Sequence, residues 1–296
     1  MTRVLITGAS GRLGRLATGF ALEQLPPAEV ILVTRRPGEL SELAARGAEV
    51  RFGDFDAPES LAAAFAGASR MLMISTWDIG RRLEQHGAAV DAAVAAGVER
   101  IVYTSGLNST PANPAFVAEE HGGSDDLVRE SGVDWTILGM GLYAEFRVPF
   151  GVSAVATGSY RHNAGDGVTA YVSRSDCAAV AAGTLVQDGH RNVVYDVTGP
   201  ELHTQAEVAA LISEVTGRPI EVVEVSDEER VADFAAAGYD EFSAGSAASW
   251  GTAIRVGALD ALSSVVEDVT GRPGRTLREV LSAHRDAMLG LTEPQI

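Results

Sequence analysis

The stretch LITGASGRLG, residues 5–14, sets glycines at 8, 11 and 14 between a short apolar run and a segment of helical spacing. Gly8 is read as the end of a first strand, Gly11 as the turn, and Gly14 as part of the first turn of a helix. A turn this tight requires positive φ or missing Cβ atoms, and the last glycine lets the helix pack closely on its strand. Bare N–H groups at a helix N-terminus suit an anion, because they have no intrahelical acceptor. The loop Gly8, Ser10, Gly11, Arg12, Leu13 and Gly14 is therefore read as the cradle of a diphosphate. Its context, after a strand and before a helix in a repeating βα pattern, supports that reading.

The rest of the first half repeats the alternation. Apolar runs at 29–36, 48–54, 70–76, 100–106 and 133–138 are separated by helical segments at 12–25, 38–47, 58–67, 82–97 and 118–132. Runs this short and this apolar are buried on both faces, which predicts an α/β fold with a doubly wound parallel sheet. After Tyr143 the rhythm loosens. Residues 146–167 read as irregular, 175–187 as a helix, 193–199 as a strand, 204–218 as a helix and 220–226 as a strand. Residues 238–257 show no clear period and read as a loop or lid, and a last helix is expected over about 276–289. The division expected is a nucleotide-binding domain over 1–143 and a smaller C-terminal α/β substrate lobe over 144–296, packed on the first without a flexible linker.

Charge narrows the partners. All 23 basic residues are arginine against 40 acidic ones, giving a net charge of −17. That field disfavours nucleic acid and anionic membrane surfaces. One cysteine, Cys177, on an apolar helical segment, excludes an internal disulfide framework. The six histidines lack metal-ligand spacing. The apolar run before Gly8 is too short for a secretory signal, and no segment is apolar enough to span a bilayer, so a cytoplasmic protein is expected. Oligomeric state is left open.

The strand-two end separates NADP(H) from NAD(H). An acidic residue there would bind the ribose hydroxyls and repel a 2′-phosphate. This chain has VTRR, and Arg35 offers a planar guanidinium to such a phosphate, with Arg12 as a second contact. NADP(H) is the cofactor expected. The ends of later parallel strands should line the same crevice: Ile74, Ser75 and Thr76 near the cofactor's ribose and phosphate, and Thr104, Ser105 and Gly141 beside the nicotinamide ribose.

TGASGRLG, VTRRP, GDFDAPESL, MISTWDIGRR, AAVAAGVERIVYTS, GVDWTILGMGLYAE, VSRSDCAAVAA and VVYDVTGPELHTQAEVAALISEVTGRPI follow one another in an order that resembles the atypical short-chain dehydrogenase/reductases. The resemblance covers nearly the whole chain and is narrowest to the NmrA-like group, which includes quinone oxidoreductases. It implies a Rossmann-type sheet. It also implies that Asp54 and Phe55 lie beside the adenine, while Asp54 equally suits a cap on its own turn.

The chain departs from the wider family in one respect. The Tyr-x-x-x-Lys pair that usually donates the proton would fall at Val117 and His121, and there is no lysine anywhere. His121 is the first candidate to hydrogen-bond a ribose or relay a proton near neutral pH. Tyr143 is a second proton donor, and Ser105 a hydrogen-bond partner for a substrate carbonyl. Trp77, Phe146 and Trp250 are candidates to line an apolar cleft. A quinone, or an aromatic polyketide-like ketone, accepts hydride with less help than an isolated ketone, because its anion is delocalised. The reading is an NADPH-dependent reductase of such acceptors; the alternative is an NADP(H)-binding redox sensor without turnover.

Overall fold

A strand with every side chain buried must be covered on both faces, and β1 (Val4–Ile6) and β2 (Val30–Thr34) are buried throughout. In the computed structural model, which describes residues 3–293, these strands lie inside a larger sheet. The others are β3 (Glu49–Phe52), β4 (Arg70–Met73), β5 (Arg100–Gly106), β6 (Asp134–Met140), β7 (Ser159–His162), β8 (Val193–Val197) and β9 (Glu221–Glu224). Seven of them form one parallel sheet in the order β3-β2-β1-β4-β5-β6-β8. Leu5, Ile31, Met71 and Ile101 face one layer with helices Leu61–Phe65, Arg82–Ala95 and Ala118–Glu130. Ile6, Leu32, Leu72 and Val102 face the other, under helices Arg12–Leu22 and Arg174–Val186. Each of these fully buried Leu and Ile side chains contributes roughly 1.5–3 kcal/mol. This is the doubly wound fold expected.

The strand order reverses between β1 and β4; β2 and β4 flank β1, setting Val30 and Arg70 opposite Val4. A crevice opens outside the carboxyl ends of strands at such a reversal. Gly8 and Ile74 flank it: a Cβ on Gly8 would lie 3.6 Å from the Ile74 Cβ.

The boundary expected at 143/144 does not divide the molecule in space. β8 comes from the second half yet pairs with β6, Thr136 opposite Val193 through Met140 opposite Val197. The helix Arg174–Val186 carries Cys177, fully buried, into the core of the first sheet. An apolar sheet face needs a cover, and the later chain supplies it. The outermost residues of both expected domains, 1–2 and 294–296, lie outside the described residues.

The remaining chain forms a second lobe around the parallel pair β7–β9. Three expectations change here. Residues 146–167 are not irregular: Arg147–Thr157 is a helix, with Pro149 tolerated in its first turn and Gly158 at φ +74° ending it. Residues 238–257 are not a lid: Glu241–Arg255 is a helix, N-capped by Asp240, whose carboxylate accepts from the Ser243 N–H at 2.8 Å. Its small side chains pack against Phe234, and a Cβ on Gly251 would fall 1.9 Å from Asn163 Oδ1. The last helix breaks at His284 into Leu277–Ala283 and Arg285–Met288, the first opened by a Thr276–Glu279 capping box.

Candidate active site

The glycine loop folds as a bare cradle. Gly8 sits at φ +60°, and the Gly11 N–H donates to the Gly8 carbonyl at 2.9 Å. Gly11 N-caps the helix Arg12–Leu22 without a side-chain hydrogen bond, and no acidic residue stands in the first turn. The first-turn N–H groups are left for an external acceptor, at the positive end of the helix dipole. A Cβ on Gly14 would come within 2.3 Å of the Gly8 carbonyl oxygen, so the close helix–strand approach requires glycine. Leu13 anchors the turn by packing on the core. Ser10 Oγ lies 2.7 Å from Thr34 Oγ1, tying the loop to the end of β2.

Beyond β2 the arginines divide. Arg36 pairs with Glu39 at 2.8 Å, and Arg15 donates to the Ser10 and Glu39 carbonyls. Arg12 and Arg35 are exposed and, among the described residues, meet no carboxylate. Two free guanidiniums therefore stand at the loop and at the strand-two end, where a phosphorylated ribose is expected.

The rim after β4 is held by three successive N–H groups. Ile74 N–H donates to Thr7 Oγ1 at 3.0 Å, Ser75 N–H to Thr104 Oγ1 at 2.9 Å, and Thr76 N–H to His86 Nε2 at 3.2 Å. The Thr104 hydroxyl is thus engaged in fixing its neighbour strand. Asp54 lies beyond β3, and its Oδ1 accepts from the Asp56 N–H at 3.1 Å, the turn-capping arrangement. Phe55 meets the His86 ring edge-on at 6.4 Å. Gly141 lets the β6 end pass close to Ala170 and Val197, donating to the Val197 carbonyl at 2.9 Å.

His86 begins a buried polar network that the sequence did not disclose. Its Nε2 accepts from Thr76, so its proton sits on Nδ1, which reaches Ser124 Oγ at 2.8 Å. The Ser124 hydroxyl in turn donates to the Glu120 carbonyl at 2.7 Å. The Tyr103 hydroxyl lies 3.0 Å from His121 Nδ1. A neutral imidazole has one N–H, and donation by the Tyr103 hydroxyl places the His121 proton on Nε2. That atom is not among the sealed, unpartnered ones, and the residue is 9% exposed. Burial, with Arg82 and His86 nearby, lowers the pKa of His121 to about 3. Desolvation thus favours the neutral imidazole at His121, which weighs against the expected proton relay near neutral pH.

Ser105 is 4% exposed with a buried, unpartnered Oγ, and Asp125, whose Oδ1 is likewise unpartnered among the described residues, faces it from the helix Ala118–Glu130. Burial raises Asp125 to about 6, against the lowering effect of Ser105. A Cβ on Gly106 would lie 3.5 Å from His121 Cδ2, so Ser105 and His121 stand at one end of β5.

Tyr143 belongs to another group. Its hydroxyl donates to Met140 Sδ at 3.5 Å, its ring lies 5.5 Å from Phe146 and under the Arg174 guanidinium, and burial drives its pKa well up. Phe146 in turn meets Trp77, which is 78% exposed. Trp250 lies elsewhere, in the second lobe beside Arg147 and Phe150.

A sequence model of a family described as NAD(P)H-binding matches residues 8–188. The chain is 30% identical to quinone oxidoreductase 2 of Escherichia coli (strain K12), over 94% of this chain and 97% of that one. It is 28% identical to an NAD(P)H azoreductase of Xenophilus azovorans, over 96% and 98%. The crystal structure of the E. coli NADPH-dependent quinone oxidoreductase complexed with NADPH superposes with a TM-score of 0.91, covering 95% of this chain and 99% of that one. The Citrobacter sp. triphenylmethane reductase complexed with NADP(H) gives 0.85 at 32% identity, covering 95% and 99%. Among the described residues no helix is long and apolar enough to cross a membrane.

Proposed function

This chain belongs to the NAD(P)H-binding family and is an oxidoreductase; from that premise we propose that it passes hydride from NADPH to a quinone or to a ketone conjugated with an aromatic ring. The observation that carries the reading is the uncapped first turn of the helix Arg12–Leu22, with Arg12 and Arg35 beside it unpaired among the described residues. The residues present fit the dinucleotide: Gly11 leaves the start of the helix Arg12–Leu22 without a side-chain cap, and Gly14 lets that helix approach the end of β1 closely. Ser10, Gly11, Arg12 and Leu13 hold the diphosphate, Arg35 the 2′-phosphate, and Ile74, Ser75 and Thr76 the ribose side. Asp54 and Phe55 border the adenine, and Thr104, Ser105 and Gly141 the nicotinamide ribose.

NADPH, when bound, supplies the hydride. The chain's own residues position the acceptor and steady the charge that develops on its oxygen. His121 offers Nε2–H for that purpose, oriented by Tyr103, and Ser105, its hydroxyl buried beside Asp125, backs the same end of β5. Preorganised donors in a dry site act on developing charge without reorganising, and alignment of the reactants supplies much of the rest. Tyr143 shapes the acceptor side with Phe146 and Trp77. Relatives that reduce quinones and azo compounds support a conjugated acceptor.

Following NADPH absorbance against quinones, azo dyes and aryl ketones tests the proposal. Turnover with NADPH on a conjugated acceptor is expected. Tight NADP⁺ binding with no turnover on any of them would instead favour a redox sensor.

A further inference from the structure

The loop that follows β4 holds its backbone fast and leaves its largest side chain outside. On one flank Glu120, from the helix Ala118–Glu130, accepts from the Gly80 N–H at 2.6 Å and from Arg82 at 3.2 Å, and Arg82 also donates to the Thr76 carbonyl at 3.0 Å. On the other flank Asp78 accepts from Gln85 at 2.9 Å, and Arg81 pairs with Asp56 at 2.8 Å. The loop is thus tied both to the helix Ala118–Glu130 and to the turn after β3. Yet Trp77, inside this frame, is 78% exposed. An indole is a large apolar surface to leave in water, and a backbone pinned in this way does not fold it inward.

The sheet order fixes what the indole stands over. β4, β5 and β6 are consecutive strands. Trp77 follows the end of β4 and Phe146 the end of β6, and their rings meet at 6.4 Å, which brings the pair across the end of β5, the strand between them. Ser105 and His121 stand at that end. The rings of Tyr143 and Phe146 already carry the Arg174 guanidinium, at 5.1 and 5.9 Å. Trp77 meets Phe146 as its one aromatic neighbour among the described residues, and its exposure leaves a face of the indole open. A lone exposed apolar side chain calls for no explanation. One joined to two half-buried aromatics beyond the carboxyl ends of parallel strands, where such sheets bind their ligands, does.

We propose that Trp77 is the outer stacking platform of the acceptor site and that it makes the enzyme select acceptors with several fused or linked aromatic rings over single-ring quinones. The inference rests on the reductase reading above and narrows its substrate class. One ring of the acceptor lies over the end of β5, beside His121, and a second, conjugated to it, reaches outward to the open face of the indole. Stacking of this kind tolerates varied substituents, because every aromatic ring presents a π-face.

Binding to the NADP⁺-saturated protein, which holds no hydride to give, tests the platform apart from turnover. The probe is 9,10-phenanthrenequinone and the single-ring control 2,6-dimethyl-1,4-benzoquinone, each titrated by calorimetry and by tryptophan fluorescence. Phenanthrenequinone should bind and quench the parent. Trp77→Ala should weaken it about tenfold while the benzoquinone changes by less than about twofold, the contrast expected for one lost aromatic pair and its buried area. Trp77→Phe, which keeps a π-face, should stay within about threefold of the parent. Both variants should fold and keep the parent's NADP⁺ affinity, because the side chain lies outside the core. Absent phenanthrenequinone binding, an equal effect of Trp77→Ala on both quinones, or a matching fall in NADP⁺ affinity, which would set the indole over the cofactor, overturns the proposal. Kinetics with NADPH separates this outcome from the reductase reading. Reduction of both quinones with no response to Trp77→Ala removes the platform and leaves the reductase standing. Binding that responds to Trp77→Ala, with no turnover of either quinone, keeps the platform and removes the reductase.

Discussion

The Tyr103 hydroxyl and Nδ1 of His121 lie 3.0 Å apart, and the direction of this one bond decides which nitrogen of the imidazole carries its proton. Removing the donor at His121 should cost far more than removing the residue that orients it. His121→Phe is expected to lower kcat about a hundredfold, the range for loss of one preorganised donor. Tyr103→Phe should lower it about tenfold, as the ring loses its fixed tautomer. NADPH affinity should stay near that of the parent in both. Steady-state kinetics with a fixed quinone, alongside a cofactor titration, checks this; an unchanged kcat in His121→Phe would remove His121 from the site.

Arg35 reads the 2′-phosphate in the proposed site, so its loss should separate the two cofactors. Arg35→Ser should weaken NADPH about 10–100-fold, the equivalent of one charged hydrogen-bond pair. NADH, which lacks that phosphate, should change by less than about twofold. Equal weakening of both would mean that Arg35 acts on something they share.

Two glycines of the first helix should respond oppositely to alanine. At Gly14 the new Cβ meets the Gly8 carbonyl oxygen at 2.3 Å, so the cradle must open. A stability loss of about 1–3 kcal/mol is expected, with NADPH affinity down at least about tenfold from the displaced N–H groups. At Gly19 nothing lies within 4 Å, and alanine should stabilise the helix by about 0.5–1 kcal/mol. Urea unfolding of the two variants, with and without NADPH, measures the contrast.

Buried imidazoles make the fold sensitive to acid. His86 and His121 have an ordinary pKa of 6.5, and burial holds both at about 3 in the folded protein. Between those values the unfolded chain binds more protons. Their contribution to stability is complete above 6.5 and drains away as pH falls toward about 3. Asp125 opposes them: its pKa rises from 3.8 to about 6, so its contribution is present below 3.8 and is lost as pH rises through about 6. At about pH 5 these groups leave a net of roughly one proton, a slope of about 1.4 kcal/mol per pH unit. His121→Phe should flatten the dependence and Asp125→Asn should steepen it. Urea midpoints taken between about pH 4.5 and 6.5 would contradict this if the histidine variant became the steeper of the two.

The first six strands and the glycine loop were legible because each is a local pattern: apolar runs such as Val30–Thr34 and a punctuation that backbone geometry demands. The helix Glu241–Arg255 was not, since its alanines, glycines and serines show little contrast between faces; its reason for glycine at 251 is Asn163, far away in sequence. The pairing of β8 with β6 was equally hidden, because hydrophobicity marks a strand as buried without naming its neighbour. His86, Tyr103, Ser124 and His121 come from three separate elements, and only packing brings them to one another. Their signal in sequence was faint: a histidine at 86 on a helix otherwise rich in alanine, and a tyrosine two residues before Ser105.

The return of residues 193–197 to the edge of the main sheet has a consequence for synthesis and for engineering. A ribosome that has released only the first 143 residues holds a sheet whose β6 edge has no neighbour, beneath a helix layer missing the stretch Arg174–Val186. The nucleotide cradle is thus not a module that can be cut free or grafted at Tyr143. A shortened gene would yield a chain with an open strand edge, prone to self-association, whereas an insertion at an outer turn of the later lobe would leave the sheet whole.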